Sequence, residues 1–283
     1  MLDLTHSGDL RSLAGRQPSI LITVSEAKGS APRIKGTQMV VTANQAIGTI
    51  GGGQLEFMAI EAAREMLAAG QSQRAMSVPL GPAIGQCCGG HVGIELAQMT
   101  PSMLTALIAQ LDAERQAQPH LMIFGAGHVG RALARAALPL PFETKLIDTR
   151  EDEIALADPD VESHLTAIPE TFVATAKPGS AIVIMTHDHA LDFLIAQVAL
   201  ARQDLSYVGM IGSKTKRATF ASWLENETGT RERLSALTMP IGASKLRDKR
   251  PAIIAAMVAA EITERAGRWQ MSASPAHAGQ PSR

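Results

Sequence analysis

Two adjacent cysteines, Cys87 and Cys88, are the residues of this chain best suited to soft-metal or sulfur chemistry. They are its only cysteines, and they lie in the segment Gly85-Gln86-Cys87-Cys88-Gly89-Gly90. The glycines favour a tight, exposed loop, because glycine adopts positive φ and lets the backbone approach a ligand closely. Free cysteine is often simply buried, but the flanking glycines argue against a strand interior. Without a second cysteine pair the two sulfurs cannot complete a structural zinc site, so we expect exposed, reactive thiols.

A glycine turn between a predicted strand and a predicted helix is the second candidate site. The segment Gly125-Ala126-Gly127-His128-Val129-Gly130 follows the apolar run Leu121–Phe124 and precedes a helical stretch at 131–138. This G-x-G-x-x-G arrangement is typical of nucleotide-binding folds, in which backbone N–H groups at the helix N-terminus bind a diphosphate. We therefore expect the turn to bind a phosphate-bearing ligand, with His128 facing the same crevice.

An acidic residue at the end of the next predicted strand completes this pattern. Asp148 stands 23 residues after Gly125, where an acid accepts a hydrogen bond from a ribose hydroxyl. Arg150 would favour a phosphorylated ribose instead, so the choice between NAD and NADP stays open. A domain that keeps the fold but binds no nucleotide is a third interpretation, because fold does not fix function.

Two further strand ends carry polar residues. His187, Asp188 and His189 follow a predicted strand at 181–186, and Ser213 with Lys214 follows one at 207–211. Ligands of open α/β sheets bind at the carboxyl ends of strands, so the first group could bind a metal or move a proton, and the second could bind an anion. Alternatively, Asp188 caps a helix, the histidines bond to the backbone, and the basic residues form a solvated helix face. Both interpretations stay open.

The order of elements predicts an α/β protein of two domains. Residues 1–118 are expected to form a smaller N-terminal mixed α+β domain that carries the Cys-Cys loop. In it, Gly51-Gly52-Gly53 forms either an anion cradle or a tight turn before a helix at 55–69. Residues 119–268 alternate strands with helices and predict a C-terminal Rossmann-like doubly wound parallel sheet. The last helix is expected at 251–266, and residues 269–283 as a disordered tail, because they lack a core-forming pattern.

Composition excludes several classes of partner. The 283 residues carry a net charge of −1, whereas nucleic-acid binding needs a concentrated excess of Lys and Arg. The start of the chain lacks the pattern of a secretory signal, and the longest apolar stretch, at 251–260, is too short to span a membrane. We therefore expect a cytoplasmic protein with reduced cysteines, and a homodimer, the commonest closed oligomer.

Taken in order, seven motifs resemble those of the XdhC/CoxI family, the accessory proteins of xanthine dehydrogenase and related molybdenum hydroxylases. The resemblance covers about residues 19–266. The ordered set is specific, although only the Gln-Cys-Cys-Gly-Gly element is specific by itself. The motifs are Gly29-Ser-Ala-Pro-Arg33, Gly51-Gly-Gly-x-Leu-Glu56, Gly85-Gln-Cys-Cys-Gly-Gly90, Gly125-Ala-Gly-His-Val-Gly130, Thr186-His-Asp-His189 with Asp192, Gly209-x-Ile-Gly-Ser-Lys214 and Pro240-Ile-Gly242.

The resemblance implies a chaperone that binds the molybdenum cofactor, molybdopterin. Such a protein holds the cofactor while a cysteine desulfurase helps to replace an oxo ligand by a sulfido ligand, and then inserts it into apo-xanthine dehydrogenase or a related molybdenum hydroxylase. Cys87 or Cys88 would contact the metal, because thiolate suits a soft centre. The other expected cofactor-binding residues are Gln86, Gly125, Gly127, His128, Gly130, Asp148, His187, Asp188, His189, Ser213 and Lys214.

A different class of function stays open at this point. The Rossmann-like domain could belong to an NAD(P)-dependent oxidoreductase in which His187 or His189 is the acid or base and the cysteines are incidental. A carrier would retain pterin and molybdenum, whereas this enzyme would turn over a nicotinamide cofactor.

Overall fold

The chain divides into two compact units, Met1–Ala117 and Gln118–Arg283, beside the predicted domain boundary at 118/119. The computed structural model describes residues 10, 12, 17–29, 34–80, 90–242 and 248–273. Each unit has its own sheet, and the two sheets differ in kind: one is antiparallel and the other is parallel. The predicted α/β fold class, with a Rossmann-like C-terminal sheet, is confirmed.

The first unit is built on a five-stranded antiparallel sheet. Its strands are β1 (Ser19–Lys28), β2 (Gln38–Thr42), β3 (Ala46–Gly48), β4 (Gln73–Pro79) and β5 (His91–Gln98). Their spatial order is β3-β2-β1-β5-β4. The central strand β1 therefore pairs on one side with β2, which follows it at once, and on the other with β5, which comes much later in the chain.

Helices contribute to both cores of this unit. Helix α1 (Gly53–Ala69) buries Leu55 and Met66 in the same core as Met39 and Val41 of β2. Helix α2 (Pro101–Ala117) buries Leu107 and Leu111 in a second core, with Val40 of β2. Since neighbouring residues of a strand point to opposite faces, β2 is buried on both. Helix α2 continues through the polar residues that precede Pro119, up to Ala117.

The second unit contains six parallel strands in the order β11-β10-β9-β6-β7-β8. This is the strand order 3-2-1-4-5-6 of dinucleotide-binding folds, read from the other edge. Strands β8 and β11 were not predicted, because they are short and lack an apolar run. The strands are β6 (His120–Phe124), β7 (Glu143–Asp148), β8 (Glu162–Leu165), β9 (Ala181–Ile184), β10 (Tyr207–Met210) and β11 (Leu237–Thr238).

Helices cover both faces of the parallel sheet, so its central strands are wholly apolar. Alternate residues of β6 enter two different cores: Leu121 and Ile123 enter one, and Met122 and Phe124 enter the other. Helices α3 and α7 line the first core, and α5 and α6 line the second. The helices of this unit are α3 (His128–Ala137), α4 (Glu151–Ile154), α5 (His189–Ala201), α6 (Lys214–Thr228) and α7 (Pro251–Ala273).

Helix α7 is longer than predicted, and this corrects part of the expected tail. The helix continues to Ala273, so residues 269–273 are helical rather than disordered; residues 274–283 lie outside the described part of the chain. Trp269 explains the extension. Its ring packs on Gly179, where a Cβ atom would come within 2.5 Å of the ring and where φ is +79°, so the last turns of α7 have a specific docking site.

Charged residues meet at the amino ends of β6 and β7, opposite the edge at which ligands of such sheets bind. Glu143 pairs with Lys177 (Nζ to Oε2, 2.6 Å) and with Lys145 (Nζ to Oε1, 3.0 Å), and Nε2 of the buried His120 lies 3.4 Å from its Oε2. Burial alone would raise the pKa of Glu143, but the hydrogen bonds from the two lysines outweigh it and lower that pKa to about 2. Burial lowers the pKa of His120.

No helix in the described ranges is long and apolar enough to cross a membrane.

Candidate functional site

The predicted site residues of the second unit lie where β6, β7, β9 and β10 end. In a sheet of this order, β6 and β9 are the two neighbouring strands from which the chain proceeds in opposite directions, and ligands bind in the crevice between their carboxyl ends. The two strands pair in parallel from Leu121 with Ala181 to Phe124 with Ile184. The loops that begin at Gly125 and Met185 therefore meet at this crevice.

The three glycines of the turn after β6 have different surroundings. Gly125 has φ +118°, and a Cβ atom there would lie 2.3 Å from the Met185 carbonyl oxygen. A Cβ atom on Gly130 would lie 1.8 Å from the Gly125 carbonyl oxygen. Gly127, the N-cap of α3, would place a Cβ atom in open space, with no atom within 4 Å. The outer glycines are thus needed for packing, whereas Gly127 leaves room for a ligand beside the helix N-terminus.

Asp148, the predicted ribose acceptor, already has partners on both carboxylate oxygens. Oδ2 accepts from the Ala126 N–H (2.6 Å) and from Nη2 of Arg150 (2.8 Å), while Oδ1 accepts from Nε (3.1 Å) and the backbone N–H (3.0 Å) of Arg150. The residue is 4% exposed. Burial acts to raise the pKa of Asp148, but these hydrogen bonds outweigh burial and lower it. The acid is therefore ionised and held inside the protein.

A second ion pair extends this network over the glycine turn. Arg131 of α3 pairs with Glu153 of α4 and donates to the Ala126 carbonyl oxygen (2.6 Å). Glu153 also accepts from Nη1 of Arg150 at 3.4 Å. The cluster of Arg131, Asp148, Arg150 and Glu153 thus contains two positive and two negative groups, and we call it the edge cluster.

A buried carboxylate that was not among the predicted site residues organises the loop after β9. Asp192, which is fully buried, accepts from the backbone N–H (3.0 Å) and hydroxyl (2.8 Å) of Thr186 through Oδ1. Its other oxygen pairs with Lys216 of α6, which also donates to the Ile211 carbonyl oxygen (3.2 Å). This ion pair ties the ends of β9 and β10 together. The sequence signal for it is weak, because 24 residues separate the partners.

The remaining predicted residues of this edge are exposed. His128 starts α3, and His187 and His189 flank Asp188, whose Oδ1 caps α5 by accepting from the Ala190 N–H (2.8 Å). This is the capping role that the sequence left open beside metal or proton chemistry. Ser213 caps α6 in the same way, with its hydroxyl accepting from the Lys216 N–H (3.2 Å). Lys214 begins that helix and is exposed.

The triple glycine of the first unit forms a turn around a carboxylate of the chain itself. All three glycines have positive φ. Oε2 of Glu56 accepts from the Ile50 N–H (3.0 Å), the Gly52 N–H (3.0 Å) and the Thr49 hydroxyl (2.5 Å). Two amides of the turn are thus directed at Glu56 and that of Gly51 at the Thr49 hydroxyl (3.1 Å), which favours the interpretation as a helix-entry turn.

The cysteine loop, with Gln86, Cys87 and Cys88, lies outside the described residues. Within the described ranges, no group of three or more His, Cys, Asp or Glu side chains could hold a metal ion. Within these ranges, His187 and His189 therefore lack the further ligating side chains that a metal site would need.

Comparison with known proteins identifies relatives of both units. The XdhC Rossmann domain family matches residues 121–262, and the XdhC and CoxI family matches residues 12–78. The uncharacterised protein YqeB of Escherichia coli (strain K12) is 26% identical over 263 residues, which are 87% of this chain but 43% of YqeB. The chain thus spans less than half the length of this curated relative.

A solved structure has the same fold. A xanthine dehydrogenase from Bacillus halodurans superposes with a TM-score of 0.79 at 19% identity, over 97% of this chain and 98% of that one. Identity at this level shows the fold alone. The NAD(P)-binding domain of an exopolyphosphatase-related protein from Archaeoglobus fulgidus reaches a TM-score of 0.32 at 18% identity, over 37% of this chain and 82% of that one, which is too low to carry an argument.

The match at 121–262 covers half of the chain and includes the glycine turn, the edge cluster and the Asp192–Lys216 pair. The chain belongs to the XdhC family.

Proposed function

We propose that this protein is an accessory factor of a molybdenum hydroxylase of the xanthine dehydrogenase type. It holds the molybdenum cofactor while a cysteine desulfurase supplies sulfur, and it then hands the cofactor to the apoenzyme in the cytoplasm. Membership of the XdhC family across both units supports this role. The name of the Bacillus halodurans protein points to the same hydroxylase.

The glycine turn suits the phosphate end of the pterin cofactor. Gly127 leaves open space at the start of α3, and the first N–H groups of a helix have no partners within it, so they bind anionic oxygen well. The exposed His128, Ser213 and Lys214 stand at the same sheet edge and add polar groups around an anion. These residues would bind and orient the tail of the ligand.

The cysteine pair of the first unit is a separate candidate for contact with the metal of the cofactor. Thiolates are soft ligands, and the sequence predicts an exposed loop, which would let a ligand enter and leave more readily than a closed metal site does. When bound, the cofactor supplies the molybdenum atom at which an oxo ligand is exchanged for a sulfido ligand. In this proposal Cys87 or Cys88 contacts that atom, and Gln86 adds a polar group beside it.

The single observation that favours a carrier over a nicotinamide-dependent oxidoreductase is that both carboxylate oxygens of Asp148 already accept hydrogen bonds from the protein. In dinucleotide enzymes the acid at this place binds the ribose, whereas here Arg150 and Ala126 engage both of its oxygens. The candidate acid–base residues give no support to the enzyme either: His187 and His189 are exposed, and in the described part of the chain no side chain orients them.

Metal retention tests the carrier role directly. Cys87→Ser and Cys88→Ser should each keep the fold and lose most of the molybdenum that co-purifies with the protein, because serine is a poor ligand for a soft metal. The control is Ser102→Ala, an exposed position on α2 outside the predicted site, which should retain it. Molybdenum is measured by mass spectrometry of the purified protein and pterin by fluorescence after oxidation. Unchanged retention in the double cysteine variant would refute the assignment.

Delivery is tested by titration. Cofactor-loaded protein, a desulfurase with cysteine, and apo-hydroxylase are mixed, and hydroxylase activity should rise in proportion to the loaded protein added. Reactivation of a large molar excess of apoenzyme by a trace of loaded protein, without external cofactor, would show turnover and contradict the carrier role. Steady oxidation of NADH or NADPH with a small substrate would support the oxidoreductase instead.

A further inference from the structure

We propose that Arg150 is a specificity-determining residue that closes the ribose position of the Rossmann unit. The unit then recognises a ligand through phosphate at the glycine turn and not through the ribose of a nucleotide. This inference goes beyond the proposed carrier role and stands whether or not the protein binds a pterin, because it concerns the discrimination between phosphate and nucleoside.

The geometry places Arg150 in competition with a ribose. A ribose diol would have to donate to the Asp148 oxygens, and Arg150 donates to both through Nε and Nη2, at 3.1 and 2.8 Å. The backbone N–H groups of Ala126 and Arg150 take further positions on the same oxygens, at 2.6 and 3.0 Å. A two-point Arg–carboxylate pair of this kind is among the stronger contacts in proteins, and Asp148 is buried beneath it.

Arg150 is also poorly placed to bind the extra phosphate of NADP. Its third nitrogen, Nη1, donates to Glu153 (3.4 Å), so the whole guanidinium lies between two carboxylates. Glu153 in turn pairs with Arg131. The edge cluster is therefore electrically balanced, and a phosphate placed there would meet Asp148 and Glu153 as well as the arginines.

The phosphate position, in contrast, is open. Gly127 has no atom within 4 Å of its potential Cβ atom, and the hydrogen bonds of the Arg150 side chain go to the carboxylates of Asp148 and Glu153. The two parts of a dinucleotide-binding fingerprint thus differ in accessibility. The glycine turn is open to a ligand, whereas the carboxylate of Asp148 is already hydrogen-bonded to Arg150. Removing the Arg150 side chain should free Asp148 while leaving its two backbone hydrogen bonds in place.

Isothermal titration calorimetry on the full chain tests the proposal, with inorganic diphosphate, ADP-ribose and NADP as probes. The wild-type protein should bind ADP-ribose and NADP no more tightly than inorganic diphosphate. In Arg150→Ala the ratio of ADP-ribose affinity to diphosphate affinity should rise about tenfold or more, because a freed carboxylate gains hydrogen bonds from the ribose. Because inorganic diphosphate carries more negative charge than ADP-ribose, the general effect of removing a positive charge on this ratio is measured with a control variant.

Two further variants complete the design. Arg150→Met keeps most of the aliphatic length of the side chain without its donors, so it should raise the ratio even if truncation to alanine disturbs the fold. Arg135→Ala is the matched control: it removes the same charge from α3, but Arg135 is exposed and pairs with Asp158 at 3.5 Å. Its affinity ratio should equal that of the wild type.

Each outcome decides the question. Tighter binding of ADP-ribose or NADP than of diphosphate by the wild-type protein would overturn the proposal without any variant. A ratio of ADP-ribose affinity to diphosphate affinity that equals the wild-type ratio, in folded Arg150→Ala or Arg150→Met, would also overturn the proposal. If the wild type binds none of the probes, new ADP-ribose binding in either variant still supports the proposal, and its absence overturns it. None of these measurements uses the pterin cofactor, so they are separate from the test of the carrier role.

Discussion

At the scale of single residues, the glycines of the turn after β6 have two different roles: some are needed for packing and one leaves space for a ligand. Gly125 and Gly130 are closely surrounded by backbone atoms, whereas Gly127 faces open space with an ordinary φ of −62°. A side chain at 127 therefore costs the fold little and obstructs only a ligand. This arrangement lets substitutions at neighbouring positions distinguish a structural glycine from a binding glycine.

We expect Gly127→Val to unfold at a temperature close to that of the wild type and to lose binding of inorganic diphosphate. Gly130→Ala should be destabilised by about 2 kcal/mol or more, because its Cβ atom would overlap the Gly125 carbonyl oxygen and the turn would have to move. Calorimetry measures the binding, and thermal unfolding followed by tryptophan fluorescence measures the stability. Normal diphosphate binding by Gly127→Val would contradict the role of the turn.

Asp192 and Lys216 form a buried ion pair whose partners depend on each other. Lys216→Met should destabilise the protein by about 3 to 5 kcal/mol, because it leaves the fully buried Asp192 carboxylate without its cation. The double variant Lys216→Met with Asp192→Asn should be more stable than Lys216→Met alone, since the neutral amide oxygen can still accept from Thr186. Urea unfolding of the four proteins in a double-mutant cycle gives the coupling energy. Additive effects would show that the pair does not act as a unit.

At the scale of strands and helices, the charged residues at the start of β6 and β7 make stability depend on pH. Glu143 has a folded-state pKa of about 2 against an ordinary value of 4.5, so its contribution is present above 4.5 and is lost as the pH falls towards 2. His120 has a folded-state pKa below its ordinary 6.5. As the pH falls below 6.5 the unfolded chain gains a proton at His120 that the folded chain resists, which also lowers stability.

We therefore expect the urea midpoint to fall on acidification, first below 6.5 and more steeply below 4.5. His120→Gln should remove the first decline, and Glu143→Gln should cost about 1 to 2 kcal/mol at neutral pH through its lost lysine contacts. Tryptophan fluorescence suits the measurement, because Trp223 and Trp269 are the only tryptophans and both lie in the second unit. A wild-type pH profile in His120→Gln would contradict this account.

Local patterns explain which elements the sequence predicts well. The central strands of the second unit are apolar runs, and the glycine turn needs only its own residues to be recognised, so both were predictable. The short strand β8, Glu162–Leu165, has one apolar residue in four and could not be distinguished from a loop. Helix α7 extends past its predicted end because Trp269 docks on Gly179, a contact between distant segments that helical periodicity does not contain.

The edge cluster shows the same limit within the candidate site. The sequence places Asp148 and Arg150 two residues apart, but spacing does not determine whether the arginine folds back on the acid or faces a ligand. The Asp192–Lys216 pair joins two loops that only the finished sheet brings together. The cysteine loop was the leading chemical feature of the sequence and lies outside the described residues, so its role stays a prediction.

At the scale of the whole molecule, we expect a homodimer, since closed pairs are the commonest oligomers of soluble proteins. Light scattering coupled to size-exclusion chromatography should give twice the chain mass of 29.9 kDa. The measurement should be repeated with the double Cys87→Ser and Cys88→Ser variant, which separates dimerisation from any disulfide between copies. A mass of one chain for the wild type would contradict the prediction.

The central position of β1 also has a consequence for synthesis on the ribosome. β1 ends at Lys28 and its second partner, β5, ends at Gln98, so about 70 residues must be added before that side of the strand is paired. At ~5–20 residues per second this takes roughly 4 to 14 seconds. During that interval a growing chain presents an open strand edge, which invites pairing with other chains. The first unit of the nascent protein thus needs protection by a chaperone until β5 has been made.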